Sequence, residues 1–320
     1  MNGVLVVDKP AGLTSHDVVS QARRALGTKK VGHAGTLDPM ATGVLVLTVG
    51  EGGKLSPYLT ADEKVYEAEI TLGSSTDTLD AEGECVARAP LPSGLDLASL
   101  RALAQGMVGE LRQRAPAVSA IKVGGVALYR RVRRGEAVEA PIRDVSLYAI
   151  EVHAYEEPRI RLSLRCSKGF YVRSLARDLA EALGTVGHLS ALRRVRSGRF
   201  EIGLALPFES LRPEQRDSLR EALLPVDRIA GSVLAPVLLN AQGSEDARSG
   251  RPVRAEGCVE GRLPESSVST APGPDAATHV LFEEAAEGRR LLALARVQED
   301  HLRVVRGFSD ALRQGTIARE

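Results

Sequence analysis

The stretch Gly32-His33-Ala34-Gly35-Thr36-Leu37-Asp38-Pro39-Met40-Ala41-Thr42-Gly43-Val44-Leu45 is the point from which the chain is best read. It carries three glycines, one proline, one histidine and one carboxylate, and an unbroken apolar run, Val44 to Leu47, closes it. Gly and Pro impose particular backbone turns. A short apolar run without alternation reads as a strand buried on both faces. Asp38 is therefore expected in a rigid loop that leads into a core strand. An Asp before a Pro also starts ordinary turns, so spacing alone admits both a reactive carboxylate and a simple turn residue. No Lys-Ser/Thr pair closes a phosphate-binding pattern, which excludes a P-loop.

Working outward, the 320 residues suffice for two domains, and 43% hydrophobic with 26% charged residues is the balance of a soluble protein. No apolar run reaches membrane-spanning length. Residues 1–8 lack a basic leader and a cleavage site, so a first core strand is expected there rather than a signal peptide. The cysteines, Cys85, Cys166 and Cys258, are odd in number and widely spaced. That spacing argues against a disulfide framework and a Cys-based zinc site, and fits a reducing cytoplasm. The net charge of +1 hides an asymmetry: residues 101–200 hold 19 Lys and Arg against 9 Asp and Glu. A basic block of this kind suits a polyanion, although it can equally be a solvated face.

Along the chain, residues 3–8 read as a strand. Thr14 or Ser15 can cap a helix with Val18, Val19, Ala22 and Leu26 on one face and Gly27 at its end. Val65 to Leu72 alternates as a half-buried strand that carries Tyr66. Ser74 to Glu84 is an acidic loop whose spacing is not that of an EF-hand. Leu100, Leu103, Ala104, Met107, Val108 and Leu111 are spaced for a helix, and Ala115 to Val123 for a short strand. Leu128 to Gly135 reads as a short helix crowded with arginines, whose self-repulsion calls for water or phosphate. Val145 to Tyr155 and Ile160 to Cys166 are strands.

Ser167 to Gly184 then opens and closes a helix that buries Val172, Leu175, Ala176, Leu179 and Leu183. Arg173 falls in its first turn, where a cation opposes the helix dipole, so a nearby carboxylate or phosphate is expected. Leu192 to Arg199 is a second basic cluster. From about Arg228 onward, short apolar runs separated by Gly, Pro and Ser indicate a small β-rich domain. Pro264 to Thr278 is expected to be a mobile loop within it.

Three segments in order resemble the TruB family of bacterial tRNA pseudouridine-55 synthases. They are DKPAGLTS from Asp8, GHAGTLDPMATGVL from Gly32, and SKGFYVRSLARDLAEALG from Ser167. Supporting pieces are Lys64-Val65-Tyr66, STDTLDAEG from Ser75, VSAIKVGGVALYRRVRRG from Val118 and LRRVRSGRF from Leu192. The match covers about residues 1–230, and the tail resembles the PUA-type RNA-binding domain more weakly. Ala115-Pro116 stands where the family often has two prolines, and Val118 where it often has Tyr.

The resemblance implies an α+β fold: a mixed central sheet with packed helices, the pseudouridine synthase fold. It divides the chain into a catalytic domain, 1–230, and a PUA-like domain, 231–320. The implied activity is isomerisation of uridine 55 in the T-arm of tRNA, without cofactor or metal, by a cytoplasmic monomer that acts also as a tRNA-folding chaperone. Asp38 would be the nucleophile, attacking either uracil C6 or ribose C1′. Arg173 would keep it ionised, and Tyr66 would stack on the flipped uracil and serve as a candidate for the C5 proton step. Tyr171 would line the pocket, His33 would occupy or brace the space the base vacates, and Lys9 and Asp80 would support the site. Arg130, Arg131, Arg133 and Arg134, with Arg193, Arg194, Arg196 and Arg199, would meet RNA phosphates. Two other readings compete: a non-enzymatic RNA chaperone, and a synthase subunit guided by RNA and protein partners.

Overall fold

The computed structural model describes residues 1–117, 122–123, 126–128, 131, 134, 136, 140–264, 278–286 and 288–309. Fourteen strands occupy the larger part: β1 Gly3–Lys9, β2 Val31–His33, β3 Thr42–Val49, β4 Lys64–Leu72, β5 Ser74–Thr76, β6 Cys85–Arg88, β7 Gly109–Arg114, β8 Lys122–Val123, β9 Val126–Ala127, β10 Ile142–Glu156, β11 Arg159–Cys166, β12 Gly187–Ser197, β13 Phe200–Glu201 and β14 Leu206–Pro207. Ten of them form one mixed sheet in the order β14-β1-β3-β12-β4-β11-β10-β7, with β2 added to β3 and β13 to β12. The pairs β1–β14 and β3–β12 are parallel and the rest antiparallel. The described helices are α1 Ser15–Leu26, α2 Ser56–Ala61, α3 Leu97–Gly106, α4 Val172–Ala182, α5 Arg216–Glu221, α6 Val226–Val233 and α7 Ala241–Arg248. None is long and apolar enough to cross a membrane.

Helix α1 starts where the sequence allows it. Thr14 is the N-cap in a reciprocal box with Asp17, and Gly27 ends the helix at φ 65°. Its apolar face, with those of α3 and α4, packs on one side of the sheet against Leu5, Leu45, Leu47, Ile70 and Leu164.

The other side of β1 and β3 is covered too. Val4, Val6, Val44 and Val46 pack with Phe282, Leu291, Leu294 and Phe308 from the C-terminal part. That part is a five-stranded sheet, β15-β17-β18-β19-β16, made of β15 Ala235–Leu239, β16 Val253–Arg254, β17 Thr278–Ala285, β18 Gly288–Gln298 and β19 His301–Gly307. Cover on both faces is why Val44 to Leu47 shows no alternation. The architecture is the expected α+β fold with a small β-rich, PUA-like C-terminal part.

Three expectations change. The helix spaced for Leu100 to Leu111 stops at Gly106, and Leu111 belongs to β7, an edge strand pairing with Val145. Helical and strand spacings overlap over so few residues, and pairing with β10 decides between them. The strand expected over Ala115 to Val123 does not begin at Ala115: residues 115–117 are irregular, 118–121 lie outside the described residues, and among the described residues of the stretch only Lys122–Val123 is strand. Strand β19 was not anticipated, because its polar sequence hides a two-stranded pairing with β18. The loop expected at Pro264 to Thr278 lies, between those two residues, outside the described ones.

Candidate active site

Asp38 stands on the loop between β2 and β3, and neighbouring elements fasten that loop at several points. Ala34 N–H donates to the Val46 carbonyl at 2.9 Å, Ala41 N–H to that of Asp38 at 3.1 Å, and Gly12 N–H to that of Pro39 at 2.9 Å. Lys9, fully buried at the end of β1, donates Nζ to the carbonyls of Pro10, Pro39 and Ala41 at 2.8, 3.0 and 2.6 Å. Ser15, at the start of α1, donates Oγ to the Leu37 carbonyl at 3.1 Å and accepts Leu37 N–H at 2.8 Å. With Thr14 taking the cap, the Ser15 hydroxyl is released for the loop.

Arg173, in the first turn of α4, meets Asp38 as a fork: Nε lies 2.9 Å from Oδ2 and Nη2 3.1 Å from Oδ1. Nη1 donates to the Thr78 carbonyl at 2.9 Å and lies 3.4 Å from Asp80 Oδ2. Asp80 Oδ1 in turn accepts Thr78 Oγ1 at 2.7 Å and Glu82 N–H at 3.1 Å. The guanidinium is 4% exposed and Asp38 32%, so Asp38 is the member that faces outward. The unfavourable helix position of Arg173 is thus answered by two carboxylates. Burial pushes the Asp38 carboxyl above the usual range. Arg173 and Lys9 oppose this, while Asp80 adds to it. Glu82 is raised as well, by burial and then by the charges of Asp80 and Asp38.

A cavity of about 220 Å³ opens on this pair, and its walls include Asp38, Lys64, Tyr66, Tyr171, Arg173 and Arg194. Tyr66 is buried on β4, and burial pushes its hydroxyl pKa up against the pull of Arg194. Lys9 and Lys64 are both brought down to about 8, chiefly by burial. Tyr171 caps α4; its N–H donates to Gln113 Oε1 at 2.7 Å and its carbonyl accepts Gln113 Nε2 at 3.0 Å. A second cavity of similar size, lined by Val237, Cys258 and Arg262, shares no residue with this one.

His33 ends β2 and does not line the cavity. Its ring meets His16 edge-on, with centroids 6.0 Å apart, and burial followed by the charges of His16 and Arg194 lowers its pKa. Lys9 and Asp80 likewise act behind the wall.

The second basic cluster departs from expectation. It lies on β12, between β3 and β4, so its side chains are engaged by the sheet's neighbours. Arg193 pairs with Asp8 at 2.7 Å and Arg196 with Glu63 at 2.6 Å. Arg194 is 1% exposed and donates to the carbonyls of Val44, Thr36 and Gly35 at 2.7, 3.4 and 3.2 Å. Arg194 therefore braces the loop instead of meeting phosphate, and only Arg199 of the four is exposed. Arg131 pairs with Glu136 at 2.6 Å; Arg130 and Arg133 lie outside the described residues. Ser15, Gln113 and the bracing role of Arg194 were missed. A spare capping hydroxyl beside Thr14 was the one sequence signal for any of them. Among the described residues, no group of three or more His, Cys, Asp or Glu is placed to hold a metal.

A carboxylate–guanidinium pair thus stands on the wall of a small cavity carried by the ten-stranded mixed sheet. The family described as TruB family pseudouridylate synthase (N terminal domain) matches residues 23–172, and the tRNA pseudouridylate synthase B C-terminal domain matches residues 173–230. A tRNA pseudouridine synthase B of Xanthomonas campestris pv. campestris (strain B100) is 42% identical over 82% of this chain and 85% of its own. One from Corynebacterium aurimucosum is 49% identical over 69% of this chain and 76% of its own. Among solved structures, a chain of an archaeal box H/ACA sRNP Nop10–Cbf5 complex superposes with a TM-score of 0.68 at 20% identity, over 96% of this chain and 86% of that one, a likeness of fold. The chain belongs to the TruB family of pseudouridylate synthases.

Proposed function

We propose that this protein isomerises uridine 55 in the T-arm loop of tRNA to pseudouridine, with Asp38 as nucleophile. The observation that carries the reading is the Asp38–Arg173 pair, one hydrogen bond and a second short ionic contact, with Asp38 on the wall of a cavity that Tyr66 and Tyr171 also line. The fork favours the anion and aims one carboxylate, which is what a nucleophile requires. The target base reaches the cavity by flipping out of the stacked loop, at a cost of about a few kcal/mol.

Asp38 attacks C6 of the uracil or C1′ of the ribose. By either route the N1–C1′ bond breaks, the uracil turns, and C5 bonds to C1′ as the carboxylate leaves. The C5 proton is lost, N1 gains one, and the product is an isomer of the substrate. Tyr66 stacks on the uracil, and its hydroxyl is the candidate for the C5 proton step. Asp80 holds Arg173, and Lys9 holds the loop through its three carbonyl contacts. His33, whose pKa burial lowers, takes the space the base leaves. Arg130 and Arg133 meet phosphates of the arm, whose folded shape is what is recognised. Residues 1–230 form the catalytic domain and 231–320 an RNA-binding domain, in a cytoplasmic monomer.

The test is Asp38→Asn with transcribed tRNA and chemical mapping of the modified position. Wild-type protein yields pseudouridine at position 55 of the T-arm and the variant does not; retained turnover in the variant would sink the mechanism. The excess of Lys and Arg over residues 101–200 also supports a tRNA-folding activity. If that second role exists, folding assistance survives in the same inactive variant. Activity of the purified single chain on a bare T-arm hairpin separates this reading from a guided synthase subunit.

A further inference from the structure

Arg194 is the buried charge for which the reading above has no use. It joins the two parts of the cavity wall that have to face each other. Along β12, Arg194 is in register with Gly43 of β3 on one side and with Tyr66 of β4 on the other. Its carbonyl passes so close to Gly43 that a Cβ there would fall 2.2 Å from it. The side chain then turns back beneath the loop and binds the carbonyls of Gly35, Thr36 and Val44, which bracket Asp38 on both sides. One residue thus holds both ends of the Asp38 loop and the strand that carries Tyr66.

Its electrostatic setting is unusual. Arg173 is answered by Asp38 and Asp80. Arg194, equally buried, has no paired carboxylate among the described residues; it binds the three carbonyls and, by a side-chain hydrogen bond, the Tyr66 hydroxyl. Lys64, 6% exposed on the same wall, adds a second cation whose hydrogen bonds go to carbonyls, those of Thr60 and Asp62, with the charge of Asp62 also acting on it. A buried cation without a paired carboxylate is costly to keep, and a hydrocarbon side chain could fill the space without that cost. The lining that Asp38 shares with Arg194 and Lys64 therefore carries positive charge before any substrate arrives. Both routes of the proposed reaction place an electron pair on the pyrimidine before C5 bonds to C1′. A fixed positive wall favours that state over the neutral uridine.

We propose that Arg194 is a positioning residue for the isomerisation: it sets the Asp38 loop against Tyr66 and keeps the cavity wall positive as charge develops on the base. This rests on the assignment of Asp38 as nucleophile.

The experiment compares full-length Arg194→Lys and Arg194→Met with wild type, using transcribed tRNA. It measures the single-turnover rate at saturating enzyme, tRNA affinity, and thermal unfolding. Lys keeps the charge and loses the fork; Met keeps neither. The single-turnover rate should fall about tenfold in Arg194→Lys and at least about a hundredfold in Arg194→Met, the scale expected when a reacting group is misplaced by an ångström. Affinity for tRNA should stay within about twofold of wild type, because a side chain that is 1% exposed does not reach phosphate. A wild-type rate in Arg194→Lys overturns the proposal, and this variant decides alone if Arg194→Met fails to fold. Equal losses in two folded variants overturn the role of the charge. A large loss of affinity with an unchanged rate overturns both parts and returns Arg194 to phosphate binding. A wild-type protein that makes no pseudouridine, or an Asp38→Asn variant that still makes it, removes the underlying reading instead.

Discussion

Asp38 and Arg173 show how one side chain's surroundings set its chemistry. Arg173 offers a planar fork to Asp38 and a third nitrogen to the Thr78 carbonyl. Arg173→Lys replaces that fork with a point charge and should lower turnover by at least about a hundredfold, read as kcat at saturating tRNA. The pH profile carries a sign that can be worked out. Burial raises the Asp38 pKa, so at a given acidic pH less of the carboxylate is ionised than in an ordinary Asp. If the anion is the attacking form, the acid limb of the single-turnover rate lies above the 3.8 of an unperturbed Asp. A limb at or below that value would contradict the burial argument. Lys9 is legible in the sequence as a residue ending the first strand, but its three carbonyl acceptors are not, since two of them lie about thirty positions away. Lys9→Met strands all three and should destabilise the protein by about 2–3 kcal/mol in denaturant unfolding.

At the scale of elements, the site is held by crossings between strands and by one tight turn. The turn between β5 and β6 places Leu79 at φ 62°, an uncommon conformation for Leu, and Leu189 N–H of β12 binds its carbonyl at 3.1 Å. That contact seats Asp80 beneath Arg173. From sequence, the same segment reads only as an acidic loop, because the partner that orders it is a hundred residues away. Gly43 is the complementary case. It has φ 101°, and the backbone of Arg194 crosses where a side chain would begin. Gly43→Ala should therefore cost at least about 3 kcal/mol and separate β3 from β12, seen as a lowered unfolding midpoint with loss of activity. Helix α1 was legible in its extent and stop, and its cap to within Thr14 or Ser15, because these signals lie within its own residues.

At the scale of the whole molecule, the C-terminal sheet is packed onto the strands that deliver Asp38. Phe282, Leu291, Leu294 and Phe308 cover Val4, Val6, Val44 and Val46. Residues 1–230 expressed alone should expose that face, bind a hydrophobic dye and melt well below the full chain; a truncated protein of unchanged stability would show that the cover is dispensable. Phe282→Ala in the full chain should cost about 3 kcal/mol or more by the same contact.

The sequence by itself determined the elements around the site. It placed Asp38 in a Gly/Pro-shaped loop before a core strand, Tyr66 on the inward face of β4, and Arg173 in the first turn of α4. These follow from periodicity, caps and turns, which are written within a few residues of each other. Only the tertiary structure decided that two carboxylates share Arg173, that Arg194 is buried beneath the loop instead of facing RNA, and that the tail lies over β1 and β3. Periodicity tells which side of an element is buried. What it is buried against depends on pairings across a hundred residues or more, and that choice turned one arginine of a basic cluster into the brace of the Asp38 loop.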